Sequence, residues 1–220
     1  MPRGFFLTFE GLDGSGKSTQ LRLLAGWLEA RGERVQVTRQ PGGTRIGDRI
    51  RSLLLDSKAD SPAPLAELGL MFADRTQALA EVIRPALNER KIVLCDRFTD
   101  STEAYQGGGR ELGSDIVLRL HETMCEGLNP DLTVLLLPDF NSSLRRARRR
   151  NVHMSAKGTD EGRFEREGEA FYRRVFDKYR EIAAREPLRV MVIDSDSSIE
   201  EIHLRIVSVV TERLQVHVRT

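Results

Sequence analysis

The stretch Gly11-Leu12-Asp13-Gly14-Ser15-Gly16-Lys17-Ser18 decides how this chain is read. It fits G-x-x-x-x-G-K-[ST] at every fixed position. It follows the apolar run Phe5–Phe9 and precedes a segment where Leu21, Leu24, Trp27 and Leu28 recur at helical spacing. A strand that runs through a glycine-rich turn into a helix forms a cradle for phosphate. The glycines let backbone N–H groups converge on phosphate oxygens, and the helix N-terminus adds free N–H groups and a favourable dipole. Lys17 then reaches the β and γ phosphates, and Ser18 offers a hydroxyl to Mg²⁺. The plain alternative is a glycine-rich turn with a chance lysine, and the flanking strand and helix weigh against it. The reading is a nucleoside triphosphate site.

Outward from this loop, short apolar clusters recur at Val35–Thr38, Ile92–Cys95, Leu132–Leu137 and Val190–Ile193. Their near-continuous apolar character suits strands buried on both faces. Between them lie helical patterns: one carrying Leu68, Met71, Phe72, Leu79, Val82, Ile83 and Leu87, then Leu112–Cys125, Phe164–Ala184 and Ile199–Leu214. Such alternation predicts an α/β protein with a mainly parallel five-stranded sheet and helices on both sides, the three-layer P-loop NTPase arrangement. Residues 1–220 are expected to form a single domain.

Composition narrows the function classes. The 220 residues are 40% apolar and 30% charged, with 34 basic against 33 acidic side chains and a net charge of +1. This argues against a protein that coats nucleic acid or an anionic membrane. Cys95 and Cys125 show no CxxC spacing, which fits a reducing, cytoplasmic setting. No apolar run approaches membrane-spanning length. The four histidines, His121, His153, His203 and His217, lack ligand spacing. No guanine-reading N-K-x-D segment follows a later strand, which lowers the reading as a GTPase.

Two further segments fall at strand ends, where an open parallel sheet forms its ligand crevice. Asp96-Arg97 follows Ile92–Cys95, so Asp96 can organise Mg²⁺ and Arg97 can grip a second phosphate. A surface ion pair is the alternative. Arg39-Gln40-Pro41-Gly42-Gly43-Thr44 follows the second strand; taken alone it reads equally well as a Pro-Gly turn.

With these pieces in order, the sequence resembles the bacterial thymidylate kinases, a family of P-loop nucleoside monophosphate kinases. The resemblance rests on Phe9–Ser18, Thr38–Thr44, Arg51-Ser52-Leu53-Leu54-Leu55, Met71-Phe72-Ala73-Asp74-Arg75, Asp96-Arg97-Phe98, Ser101–Gly109 and Asn129-Pro130-Asp131-Leu132-Thr133. It implies transfer of phosphate from ATP to dTMP with Mg²⁺, by a cytoplasmic homodimer with no nucleic-acid or membrane partner. It implies an ATP site of Gly11, Asp13, Gly14, Ser15, Gly16, Lys17, Ser18 and Thr19, with Ser18 and Asp96 at the metal. Asp13 would bond the sugar 3′-hydroxyl, and Arg97 would hold the dTMP phosphate with Arg39 or Arg51 assisting. Arg75 would bond the thymine edge, Thr102 would help read the base, and Tyr105 would press on the deoxyribose. Pro41 and Gln106 complete the implied dTMP site. Phe72 and Tyr105 read as packing residues if the family pattern is set aside.

The sequence also departs from that pattern. Met71 stands four residues before Arg75, where the family usually has an aromatic, and Phe72 stands three before it. Both offsets lie near one helix face, so either can cover thymine. Gln40 replaces the usual Glu. Leu137 stands where an Asp often ends the fourth strand, with Asp139 two residues on.

The densest charge cluster is Arg145, Arg146, Arg148, Arg149 and Arg150. It reads either as a solvated helix face or as a source of charge for the donor phosphates. The polar stretch Asn151–Gly162 and Arg163 follow. By the resemblance, residues of about 150–163 form a lid, with Arg148 at ATP and Arg163 joining Lys17, Arg97 and Asp13 in catalysis. An arginine supplied in this way is worth about 10³-fold or more in rate.

Overall fold

β1 (Phe6–Glu10) occupies the centre of a five-stranded sheet. The order is β2 (Val35–Arg39), β3 (Ile92–Asp96), β1, β4 (Leu132–Leu136), β5 (Val190–Ile193), and every pairing is parallel. The structure is a computed structural model and describes residues 3–56, 61–145, 164, 167–194 and 196–219. The strands fall within a residue of the apolar clusters that predicted them.

Alternation along β1 explains the layers. Leu7 and Phe9 point to one face, where α1 (Lys17–Glu29) and the C-terminal helix α8 (Ile199–Arg219) bury Leu24, Leu28, Ile206 and Val210 against them. Phe6 points to the opposite face, with Val93 and Cys95, and meets α3 (Pro64–Ala78) and α6 (Ser114–Cys125). Leu135 and Leu137 support a third apolar cluster with Tyr105, Phe171, Val175 and Tyr179, the last three from α7 (Glu169–Arg185). The sheet interior also holds one polar rivet, the Thr8–Thr133 hydroxyl pair at 2.8 Å.

Two helices differ from the expected pattern. The helix predicted to carry Leu68 to Leu87 is interrupted by a π turn at Leu79–Ile83 before resuming as α4 (Arg84–Asn88). Pro85 has no N–H and crowds the carbonyl four residues back, so a widened turn ahead of it relieves both problems. The helix expected from Phe164 begins only at Glu169, with Gly168 at its N-cap. Sequence periodicity also left α2 (Arg45–Leu55) unread, although Thr44 caps it by accepting from Gly47 N at 2.9 Å.

Candidate active site

The phosphate loop connects β1 to α1 at the C-terminal edge of the sheet. Gly11 has φ 131°, and a Cβ there would lie 2.2 Å from Leu136 O, so β4 leaves room only for glycine. Gly14 and Gly16 also have positive φ, and Gly16 caps α1. Lys17 is buried, and its Nζ donates to Gly11 O at 3.1 Å and Leu12 O at 2.8 Å. Thr19 N donates to Gly16 O at 3.1 Å, closing the first turn. Ser15 lies buried within the loop.

β3 delivers the second part of the site. At its end, Asp96 Oδ2 accepts from Ser18 Oγ at 2.8 Å, which brings together the two expected metal-site residues. Arg97 N donates to Phe9 O at 3.0 Å, and the residue adopts φ 72°. That left-handed backbone is uncommon for a non-glycine residue. It turns the Arg97 guanidinium toward the loop, where Nη2 meets Asp13 Oδ1 at 2.9 Å. Nη1 donates to Ser101 Oγ at 2.9 Å and Tyr179 Oη at 3.3 Å. Tyr105 Oη lies 3.3 Å from Asp13 Oδ2 and 3.4 Å from Arg97 Nη2, so the three side chains form one cluster.

Asp13 and Arg97 open onto a pocket whose walls also carry Pro41, Arg51, Met71 and Arg75. Thr102, Tyr105 and Gln106 complete the expected residues in that lining. Arg75 comes from α3 and is 2% exposed. Its Nε donates to Gln40 Oε1 at 2.8 Å, and its Nη2 donates to Thr102 Oγ1 at 2.8 Å and Phe98 O at 3.1 Å. The rings of Phe72 and Phe98 lie 4.9 and 5.1 Å from the guanidinium carbon. Arg75 is thus held rigidly at the pocket wall.

Two expected residues lie elsewhere. Phe72 does not line the pocket; it is fully buried in the core with Phe6 and Leu68 and serves as a platform for Arg75. Of the two residues offered for covering the base, Met71 reaches the lining. Arg39 is exposed, pairs with Asp48 Oδ1 at 3.3 Å and is absent from the lining, whereas Arg51 is present there. Asp139, two residues beyond Leu137, accepts from Asn141 N at 2.9 Å and Ser142 N at 3.1 Å, as a helix cap. Arg146, Arg148–Arg150, Arg163 and the stretch Asn151–Gly162 lie outside the described residues.

Other groups escaped the sequence reading. Gln40, noted there only as a departure, is the acceptor for Arg75 Nε. Ser101, Phe98, Leu55 and Phe164 line the pocket beside the expected set. Beneath them Glu10 is fully buried and accepts from Phe98 N at 2.6 Å, from Ser101 Oγ and from Tyr179 Oη at 3.2 Å. Burial and the nearby Asp100 carboxylate push its pKa up to about 7. Asp74, also buried, accepts from Gly42 N at 2.8 Å and is pushed up to about 6, chiefly by desolvation. One signal for Glu10 was available: it is an acidic residue closing an apolar strand next to the first glycine of the loop.

The sequence pattern of the family described as Thymidylate kinase matches residues 9–206. The chain belongs to the thymidylate kinase family. Among related thymidylate kinases, that of Pelobacter propionicus is 48% identical over 209 residues, covering 95% of this chain and 94% of the relative. That of Trichlorobacter lovleyi is 47% identical over 213 residues, covering 97% and 100%. The crystal structure of thymidylate kinase from Ehrlichia chaffeensis superposes with a TM-score of 0.75 at 34% identity, covering 96% of this chain and 99% of that one. The thymidylate kinase match thus spans the phosphate loop, the Arg75 helix and the Asp96-Arg97 segment together.

Proposed function

We propose that this thymidylate kinase family member transfers the γ-phosphoryl group of ATP to dTMP, giving dTDP and ADP, with the acceptor in the pocket between Arg97 and Arg75. The observation that carries this reading is the pairing of two phosphate grips on one loop. Lys17, bonded to the carbonyls of Gly11 and Leu12, and the loop N–H groups would serve the donor, and Arg97, bonded to the next loop residue Asp13, would serve the acceptor phosphate. Phosphoryl transfer asks for in-line positioning and charge neutralisation, and cationic groups on both sides supply them.

The far end of the pocket suits a pyrimidine with two carbonyls flanking an N–H. Arg75 Nη1 and Gln40 Nε2 are buried donors with no hydrogen-bond partner, and Gln106 Oε1 is a buried acceptor in the same condition. Two donors and one acceptor complement the thymine edge, and unmatched buried polar groups disfavour bases with the opposite pattern. Tyr105, packed edge-on against Phe164, Phe171 and Tyr179, forms a rigid wall for the sugar. Arg51 donates to Pro41 O at 2.9 Å and presents a second cation at the acceptor side.

The Ser18 hydroxyl and Asp96 carboxylate are hard oxygen donors, a set that fits Mg²⁺. Held there, Mg²⁺ would supply charge neutralisation to the donor phosphates. Arg148 and Arg163 are proposed to bring further charge from the lid of about residues 150–163, and residues 1–220 to act as one domain. Exposed Ile46, Leu53, Leu65 and Leu118 on the adjoining helices α2, α3 and α6 support a homodimer. The free, buried Cys95 and Cys125 support a cytoplasmic setting. Among the described residues no helix is long and apolar enough to cross a membrane.

The test is an acceptor panel of dTMP, dUMP, dCMP, AMP and thymidine with ATP and Mg²⁺, following diphosphate formation. dTMP is expected to give the highest kcat/KM. Equal or greater efficiency on dCMP, AMP or thymidine would overturn the reading.

A further inference from the structure

At the floor of the site a buried carboxylate, Glu10, meets two hydroxyls and, through them, a guanidinium. A hydroxyl carries one proton to donate and two lone pairs to accept with. Glu10 Oε2 accepts from Ser101 Oγ and, at 3.2 Å, from Tyr179 Oη; the two hydroxyls lie 2.9 Å from each other. Arg97 Nη1, a pure donor, points at the same two oxygens from the other side. With Glu10 ionised, Ser101 gives its proton to the carboxylate, and Tyr179 gives its proton to the carboxylate or to Ser101. Both oxygens are then left with lone pairs facing Arg97.

We infer that Glu10 is a positioning residue for the acceptor phosphate: it sets the direction of the Ser101 and Tyr179 protons so that both hydroxyls accept from Arg97. This rests on the reading of Arg97 as the acceptor-phosphate ligand. The groups around the carboxylate are consistent with a dedicated charge. Asp100, its acidic neighbour, is bound bidentately by Arg189 at 2.8 and 2.9 Å and so has a cation of its own. Arg75 and Cys95 also feel the charge of Glu10, and Arg97 is the cation that the hydroxyl pair connects to it.

A Gln at this position changes the number and direction of the protons. Phe98 N requires an acceptor, so the amide oxygen must take the place of Oε1 and the NH₂ group must face the hydroxyls. The pair then holds two protons, and its former carboxylate acceptor has become a donor. One hydroxyl proton is left pointing at a donor, Arg97 included, and the guanidinium loses its anchor on the Ser101 side.

The experiment compares Glu10→Gln, Ser101→Ala, their double variant, Tyr179→Phe and Arg97→Ala at about pH 8.5, above the elevated Glu10 pKa. KM is measured separately for dTMP and ATP, with circular dichroism on each protein. Glu10→Gln is expected to raise KM for dTMP roughly 10- to 100-fold, the loss of a charge-assisted contact, with KM for ATP within about twofold. In the Ser101→Ala background, Glu10→Gln should add far less than it does alone. A merely structural Glu10, one residue before Gly11, would move both KM values together, and that result overturns the inference, as do fully multiplicative effects in the double variant. If Glu10→Gln fails to fold, Ser101→Ala and Tyr179→Phe carry the test: each should raise KM for dTMP alone, and unchanged values in both overturn it. Arg97→Ala with normal dTMP kinetics overturns the acceptor-phosphate reading itself; impaired Arg97→Ala beside normal Glu10→Gln overturns only the role of Glu10.

Discussion

Arg97 Nη2 lies 2.9 Å from Asp13 Oδ1, which ties the residue following β3 to the carboxylate inside the phosphate loop. The phosphate loop and the residue after β3 are therefore one mechanical unit. Tyr105 closes the unit through its hydroxyl, 3.3 Å from the other oxygen of Asp13.

Tyr105→Phe removes that hydroxyl and keeps the ring wall. Its kcat/KM for dTMP is expected to fall about 5- to 10-fold, the worth of a modest hydrogen bond. Tyr105→Ala removes the wall as well and should narrow the preference for dTMP over its ribose counterpart. An unchanged ratio of the two kcat/KM values in the alanine variant would count against a sugar-facing role.

Lys17→Ala should lower kcat by about 10²- to 10³-fold or more, since a preorganised cation at the transferring phosphates is lost. Its Nζ donates to two carbonyls of its own loop and is not part of the apolar core, so the circular dichroism spectrum should be retained. Near-normal turnover in a folded variant would sink the assignment of the phosphate loop.

Gln40→Ala strips Arg75 Nε of its acceptor inside a buried pocket. The expected cost is about 1–3 kcal/mol of stability, read by denaturant unfolding. A weakened grip on dTMP should accompany it, because Arg75 loses one of the contacts that fix its plane. A loss of stability below about 0.5 kcal/mol would show that water satisfies Nε instead.

Asp74→Asn keeps the acceptor for Gly42 N and removes a buried charge. The Asp74 pKa is raised from 3.8 to about 6 on folding, so the folded state binds more protons than the unfolded state across that window. Native stability therefore falls as pH rises through it, and the penalty is complete above about 6. The variant is expected to be more stable than the parent at pH 8 by up to about 2–3 kcal/mol, and the difference should fade toward pH 4. Tm against pH for both proteins checks it; a variant less stable at alkaline pH would refute the sign.

The local parts of this site were legible in the sequence because their geometry is local. The phosphate loop needs only a strand, a run of fixed glycines and a helix start, and β1 and α1 supply them where the motif required. Arg97 and Asp96 followed from their place at a strand end. The separation of Met71 from Phe72 was beyond sequence, since one residue on α3 is a rotation of about 100°, and packing against Phe6 decides which side chain faces the core. Arg39 and Arg51 were equal candidates for the same reason: charge was readable, side-chain direction was not. Glu10 and Tyr179 are 169 positions apart, and nothing in either neighbourhood announces that they share a hydrogen bond.

The π turn at Leu79–Ile83 adds one further consequence. A residue taken up in a widened turn advances the chain without the usual rotation, so the two halves of this helix are out of phase by about 100° relative to an unbroken one. Arg75 upstream and Leu87 downstream are correctly aimed at different targets because of that offset. Deleting a single residue there would bring the Pro85 ring back against the turn before it, and it would also rotate Arg75 and Leu87 by about 100° relative to each other, so that one of them would leave its target while the apolar count barely changed. The direction in which Arg75 meets the pocket wall is thus indexed to chain length at a point further along the same helix.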